Sequence, residues 1–259
     1  MWIQRYEFSG FINNKMTNNE KKHIKQLQQK KYRNRFGEFV VEGIKSIRDF
    51  LQAGFEPVKI YSTTEISEAE NNIDKLEIID KKTLRQISFL KNPKDALAVF
   101  KIPQRQELPD SGWIIALDGL QDPGNLGTII RTADWFGIKN IVCSEDTVDC
   151  YNPKVVQATM GSLAHLKVYY ADLPVYLSQT NLPVYGACME GENIYQTRFP
   201  NKGILVIGNE GNGISTDIKQ LISNKVHIPK HPDSTAESLN AAVAATIFVN
   251  EIVKLEIRS

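Results

Sequence analysis

The spacing of hydrophobic positions changes repeatedly along this chain, and each change marks an element. A polar stretch over Asn18–Lys31 predicts a helix. Phe36-Gly37-Glu38-Phe39-Val40-Val41-Glu42-Gly43 predicts a short strand that stops at a glycine. Ile44, Ile47, Phe50 and Leu51 then recur at helical spacing, and Gly54 closes that helix. Val58–Tyr61 predicts a second strand, Glu68–Leu76 a short helix and Glu77–Ile79 a strand. Lys82–Phe89 predicts a helix and Ala96–Phe100 a further strand. Strands alternating with helices imply a small α/β domain. Pro103, Pro109 and Gly112 stand among charges and predict a linker over 103–112.

The alternation resumes with stronger strands. Trp113–Leu117 is almost unbroken apolar sequence, the pattern of a strand covered on both faces. Leu126–Phe136 predicts a helix closed by Gly137. Asn140–Cys143, Leu166–Tyr169, Pro183–Ala187, Ile204–Ile207 and Val226–Ile228 predict strands. Val155–Ala164 and Asp217–Ile222 predict helices. Ser234–Leu255 predicts a long helix with Leu239, Ala242, Val243, Ile247 and Phe248 as its apolar stripe. Ser234 and Glu237 have capping-box spacing at its start. The partition that follows is an N-terminal extension over 1–17, with Met16 a candidate start, a domain over 18–102, the linker, and a second α/β domain over 113–259.

Net charge is +1, so the total names no partner, but the distribution is uneven. Lys21, Lys22, Lys25, Lys30, Lys31, Arg33, Arg35, Lys45 and Arg48 crowd one region against Glu20, Glu38 and Glu42. Such a face can hold a phosphate backbone, or simply be solvated. Cys143, Cys150 and Cys188 are odd in number and lack zinc spacing, which suits thiols in a reducing compartment. His23, His165, His227 and His231 are scattered, so no metal site is expected. No stretch has the length and apolarity of a membrane span, and the first residues are not a secretory signal. A cytoplasmic address is the expectation.

Ligands of parallel sheets bind beyond the carboxyl ends of the strands. Three loops begin at such ends: Asp118–Asn125, Gly208–Gly213 and Lys230–Glu237. Gly208, Gly211 and Gly213 let the middle loop approach a ligand closely or adopt positive φ. Its spacing, G-x-x-G-x-G, differs from the dinucleotide pattern G-x-G-x-x-G, and no acidic strand end follows at the ribose-binding distance. The Gly-Lys-Ser/Thr of a P-loop is missing.

Three pieces in order, Asp122-Pro123-Gly124-Asn125-Leu126-Gly127-Thr128-Ile129-Ile130-Arg131-Thr132-Ala133, Ile207-Gly208-Asn209-Glu210-Gly211-Asn212-Gly213-Ile214-Ser215 and Ile228-Pro229 … Glu237-Ser238-Leu239-Asn240-Ala241-Ala242-Val243-Ala244-Ala245, resemble the motifs of the SpoU (TrmH-like) family of SPOUT RNA methyltransferases. These enzymes move a methyl group from S-adenosylmethionine to a ribose 2′-hydroxyl. The resemblance implies an α/β fold: a C-terminal trefoil-knot (SPOUT) domain preceded by a small α/β, ribosomal-protein-like substrate-binding domain. The knot follows from the resemblance alone, since connection rules weigh against it. The segment Lys30-Lys31-Tyr32-Arg33 … Gly43 resembles the substrate-binding domain, which makes Lys30, Lys31, Arg33 and Arg35 candidate RNA contacts. Ribosomal RNA is the implied partner, with tRNA as an alternative, and a homodimer through the C-terminal domain is implied as well.

The match puts Ile207, Gly208, Asn209, Glu210, Gly213, Ile228, Pro229, Ser238, Leu239 and Asn240 around the cofactor. Arg131, Asn125, Glu210, Ser238 and Asn240 become the catalytic candidates. Each has a plainer reading. Asn125 can cap a helix, Leu239 can be core, Glu210 can be a solvated carboxylate, and Ser238 and Asn240 can be helix-start residues. Arg131 can be an exposed helical arginine sharing a face with Thr128, Thr132 and Trp135. If catalytic, its guanidinium is a poor base and a good phosphate clamp. The chain departs from the family in the longer loop Lys230–Ala236, and Ala242 stands where the family has a second serine. Two other classes remain: a non-catalytic RNA-binding or ribosome-assembly protein, and a Rossmann-like nucleotide enzyme.

Overall fold

The computed structural model describes residues 16–66, 72, 74–104 and 107–258. The chain divides between Pro103 and Gln104 into two compact units. The predicted extension lies almost wholly outside the described residues, as does much of the helix predicted over 68–76.

The first unit contains α1 (Asn18–Gln26), α2 (Lys30–Phe36), β1 (Glu38–Glu42), α3 (Ile44–Gln52), β2 (Pro57–Ser62), β3 (Leu76–Ile78), α4 (Lys81–Ile87) and β4 (Ala96–Lys101). Its sheet runs β1-β4-β2-β3, with β4 antiparallel to β1 and β2 and β3 parallel to β2. Adjacent residues of β1 serve opposite faces, as the strand's alternation requires. Phe39 meets Phe50 of α3 and Phe100 of β4 at ring-centroid distances of 5.5 and 6.0 Å. Val40 joins Ile24, Leu27, Leu84 and Ile87 from α1 and α4.

The single helix predicted over Asn18–Lys31 is two helices. A capping box between Thr17 and Glu20 starts α1. The chain then turns so that Leu27 is fully buried, and Gln29 opens α2. The turn is fixed by Arg33, whose Nη1 donates to the carbonyls of Leu27 (2.8 Å) and Gln28 (2.9 Å). Phe36 closes α2 rather than opening the strand, and Gly37 takes φ 67° as the left-handed cap.

The second unit contains β5 (Trp113–Leu117), α5 (Pro123–Trp135), β6 (Asn140–Ser144), α6 (Pro153–Thr159), a 3₁₀ turn (Ser162–Ala164), β7 (Lys167–Ala171), α7 (Leu173–Gln179), β8 (Val184–Asn193), β9 (Gly203–Ile207), α8 (Thr216–Lys219), β10 (Asn224–His227) and α9 (Ala241–Arg258). Its six strands lie in the order β10-β8-β9-β5-β6-β7, and every pairing is parallel. The all-apolar strands β5 and β9 are buried throughout, as expected at the centre of a doubly covered sheet.

Two predicted elements change here, and one is added. The helix over Val155–Ala164 breaks where Met160 and Gly161 turn left-handed at φ 54° and 100°. Helix α7, unforeseen in the sequence, buries Leu173, Tyr176 and Leu177 behind an Asp172 cap. The last helix starts at Ala241, not Ser234. The Ser234 hydroxyl bonds Ala236 N–H in a local turn, so the expected capping box with Glu237 does not form. Asn240 supplies the start instead, its Oδ1 accepting from the N–H groups of Ala242 (3.0 Å) and Val243 (3.3 Å).

Strand β10 is an edge, whereas α9 packs on α5, the helix joining central β5 to β6. Residues 228–240 therefore carry the chain from the edge back to the middle of the sheet. No helix among the described residues is long and apolar enough to cross a membrane.

Candidate active site

The site begins where β5 ends. Asp122 caps α5 by accepting from Asn125 N–H at 2.8 Å, and Pro123 occupies the first turn, where its missing N–H costs nothing. The expected capping role of Asn125 thus belongs to Asp122, and the helix starts at Pro123, ahead of the predicted Leu126. That leaves the Asn125 amide available for longer contacts.

Those contacts join all three motifs. Asn125 Nδ2 donates to Glu210 Oε1 at 2.8 Å. Asn240 Nδ2 donates to Asn125 Oδ1 at 2.9 Å. An ionised carboxylate only accepts, so the Glu210 contact fixes which end of the Asn125 amide faces it. The Asn125 oxygen must then face the Asn240 amide nitrogen. Finally, the Asn240 oxygen meets the first N–H groups of α9. Each side-chain amide in this array both donates and accepts, which gives it one direction from the start of α9 to the loop after β9.

That loop is tightly built. Asn209 and Gly213 exchange backbone hydrogen bonds at 3.0 and 2.9 Å. A Cβ on Gly208 would lie 2.2 Å from the Gly213 carbonyl carbon, so no other residue fits there. Gly213 has φ 67°. Asn209 bonds outward to the Gly119 carbonyl at 2.7 Å and inward to Gly211 N–H at 2.8 Å. Its side chain therefore braces the loop. Asp118, buried at the end of β5, accepts from Ser215 N–H at 2.7 Å and holds the other flank. Asp118 was not among the sequence candidates. Its signal was a carboxylate directly after an apolar strand.

The other candidates are placed as follows. Ile207 is buried in the β5–β9 ladder, so only its backbone can reach a ligand. Ile228 is half-buried just past β10, and Pro229 beside it is exposed. Ser238 is exposed and makes no hydrogen bond among the described residues. Leu239 is 49% exposed, which sets aside the plain core reading. Arg131 is exposed on α5 and stands outside the array, its side chain without a hydrogen bond or ion pair among the described residues. No group of three or more His, Cys, Asp or Glu among the described residues is placed to hold a metal ion.

In the first unit, Lys30, Lys31 and Arg35 are exposed, with Lys31 and Arg35 lying over the rings of Tyr32 and Phe36. Arg33 corrects the sequence reading. It is 1% exposed and its guanidinium holds backbone carbonyls, so it offers nothing to a phosphate.

Comparison with known proteins agrees with this geometry. Residues 112–250 match the SpoU rRNA Methylase family, and residues 18–98 match the MRM3-like substrate binding domain. The chain is 30% identical over 239 residues to the 23S rRNA (guanosine(2553)-2'-O)-methyltransferase RlmP of Bacillus subtilis (strain 168), covering 90% of this chain and 95% of that protein. It is similar to the AdoMet-bound rRNA methyltransferase from Sinorhizobium meliloti, with TM-score 0.85, 26% identity and coverage of 94% of this chain and 97% of that one. It is also similar to the SpoU methyltransferase AviRb from Streptomyces viridochromogenes in complex with AdoMet, with TM-score 0.82, 25% identity and coverage of 93% and 99%. The chain belongs to the SpoU (TrmH-like) family of SPOUT RNA methyltransferases, its methyltransferase fold preceded by a substrate-binding domain.

Proposed function

We propose that this protein is an S-adenosylmethionine-dependent methyltransferase that modifies a ribose 2′-hydroxyl in ribosomal RNA. The observation that carries the reading is the directional array Glu210–Asn125–Asn240, which ties three distant loops together beyond the strand ends. The similar enzymes named above support the substrate and the cofactor.

The residues suit the cofactor in kind. Half-exposed Leu239, with Ile228, offers an apolar face to a heteroaromatic ring. Glycines 208 and 213 bring the main chain of loop 208–213 close to whatever lies beside it. When bound, S-adenosylmethionine supplies an electrophilic methyl group on a sulfonium. Asn209 and Glu210 hold the loop, while Ile207, Gly208, Gly213, Ile228, Pro229, Ser238, Leu239 and Asn240 surround the cofactor. Arg131 is the residue that meets RNA at the reaction centre. Its planar, permanently charged fork clamps a phosphate, positions the ribose and supports the oxyanion that develops as the 2′-hydroxyl loses its proton. The proton leaves to an RNA phosphate or to water. Ser238, exposed beside Leu239, hydrogen-bonds near the donor methyl and the acceptor hydroxyl.

Lys30, Lys31 and Arg35 bind the RNA backbone through charge. The protein acts as a homodimer through its second unit: α5 and α9 pack together and leave the apolar side chains of Trp135 and Val243 84% and 48% exposed, surface that a second copy would cover. A reducing, cytoplasmic setting accords with the odd cysteine count.

The test is a map of 2′-O-methyl positions in total RNA from cells with and without the protein. The expected result is loss of a ribosomal RNA methyl. Loss from tRNA alone would reassign the substrate, and an unchanged map would overturn the reading.

A further inference from the structure

A second polar cluster stands behind the array, at the carboxyl ends of β5 and β6. Its hub is Ser144, the last residue of β6 and only 8% exposed. Its hydroxyl lies 2.8 Å from Gly119 N, 2.5 Å from Asp146 Oδ1 and 2.9 Å from Thr147 Oγ1. A hydroxyl has one proton, a peptide N–H only donates and a carboxylate only accepts. Ser144 therefore donates to Asp146 and accepts from Gly119. Gly119 has φ 67°, which turns its N–H toward β6 and its carbonyl toward the loop after β9. That carbonyl accepts from Asn209 Nδ2, whose own amide oxygen accepts from Gly211 and Asn212 N–H at 2.8 and 3.2 Å. Asp146 is itself steadied by Gln121, which donates to its backbone carbonyl at 2.7 Å.

We propose that Ser144, backed by Asp146, is a positioning residue for methyl transfer: through the Gly119 peptide and Asn209 it holds loop 208–213, and hence Glu210, in register with Asn125. The proposal rests on the reading of that loop as the cofactor loop. Neither residue lies in the three motifs. The loop keeps its other flank through Asp118 and Ser215 and its own Asn209–Gly213 bridge. Removing the Ser144 hydroxyl therefore loosens one side without unfolding the loop.

The experiment compares full-length wild type with Ser144→Ala, Ser144→Thr and Asp146→Ala. Amide hydrogen exchange is followed in the cofactor-free protein, and S-adenosylmethionine binding is measured by calorimetry. In Ser144→Ala, exchange at Gly211 and Asn212 should speed up, and Kd should weaken at unchanged stoichiometry, each by about tenfold, the scale of one buried hydrogen bond. Ser144→Thr, which keeps the hydroxyl, should restore both. Asp146 is exposed, so Asp146→Ala should fold normally and show the same changes at about threefold; it decides the matter if Ser144→Ala does not fold. On an Asn209→Ala background, Ser144→Ala should add nothing. Unchanged exchange in both variants would overturn the proposal whatever the cofactor does. So would a reduced stoichiometry with unchanged Kd, the mark of mere structural support. If wild type itself does not bind S-adenosylmethionine, the functional reading fails and the exchange data alone decide the relay.

Discussion

The two units are built from the same alternation of strands and helices but place their chemistry differently. In the first, a mixed sheet covered on both faces leaves the surface of α2 to display cations. In the second, an all-parallel sheet gathers three loops beyond its strand ends, where directional hydrogen bonds join residues far apart in sequence. Two arginines condense the contrast. Arg33 lies in a run of charges yet is buried as a structural clamp. Arg131 lies in an ordinary amphipathic helix yet is exposed and uncommitted among the described residues. A charged face tolerates the loss of one member in proportion to its charge, because phosphate attraction is summed over many contacts. A directional array fails when one donor is lost, because the neighbouring groups are left unpaired.

The largest effect should come from Arg131. Arg131→Ala should lower methyl transfer by about 10³-fold or more, the scale of a lost transition-state donor, while S-adenosylmethionine affinity stays within about twofold. Arg131→Lys should rescue poorly, since lysine keeps the charge but not the planar fork. Normal turnover by Arg131→Ala would remove the contrast with Arg33.

Next comes Asn125. Asn125→Ala should lower kcat by roughly 10²-fold and weaken cofactor binding, since Glu210 and Asn240 lose their shared partner. Asn125→Asp should do no better. It can still accept from Asn240, but it faces Glu210 with a second carboxylate instead of a donor. Steady-state kinetics of the pair sharpen the claim, and a nearly active Asn125→Asp would contradict the assigned direction of the array.

Why these residues were or were not legible has a physical basis. Strands such as Trp113–Leu117 were readable because burial on both faces leaves an unbroken apolar run. The start of α9 was misread because Ser234 and Glu237 have capping spacing, and spacing does not reveal that Ser234 turns locally toward Ala236. The partners of Asn125 lie 85 and 115 residues away, beyond any local pattern, and only the motif resemblance grouped them. Arg33 was misread for the opposite reason: a cluster of charges gives no hint that one member turns inward to hold backbone carbonyls.

Smaller effects separate the basic face from its buried neighbour. Replacing Lys30, Lys31 and Arg35 by glutamine should weaken RNA binding by about tenfold and reduce the salt slope by about 2–3, with no change in cofactor affinity. Arg33→Ala should leave that slope unchanged and instead cost about 1–3 kcal/mol of stability in urea unfolding, because two carbonyls lose their donor. A salt slope that changes with Arg33 but not with the other three would reverse the assignment.

The most direct measurement incubates the purified full-length protein with methyl-labelled S-adenosylmethionine and ribosomal RNA, then digests the RNA with alkali. The account predicts label in an alkali-resistant dinucleotide, because a methylated 2′-oxygen cannot attack its own phosphate, and none with Arg131→Ala. Label on a base, or no transfer to any RNA by protein that binds the cofactor, would contradict it.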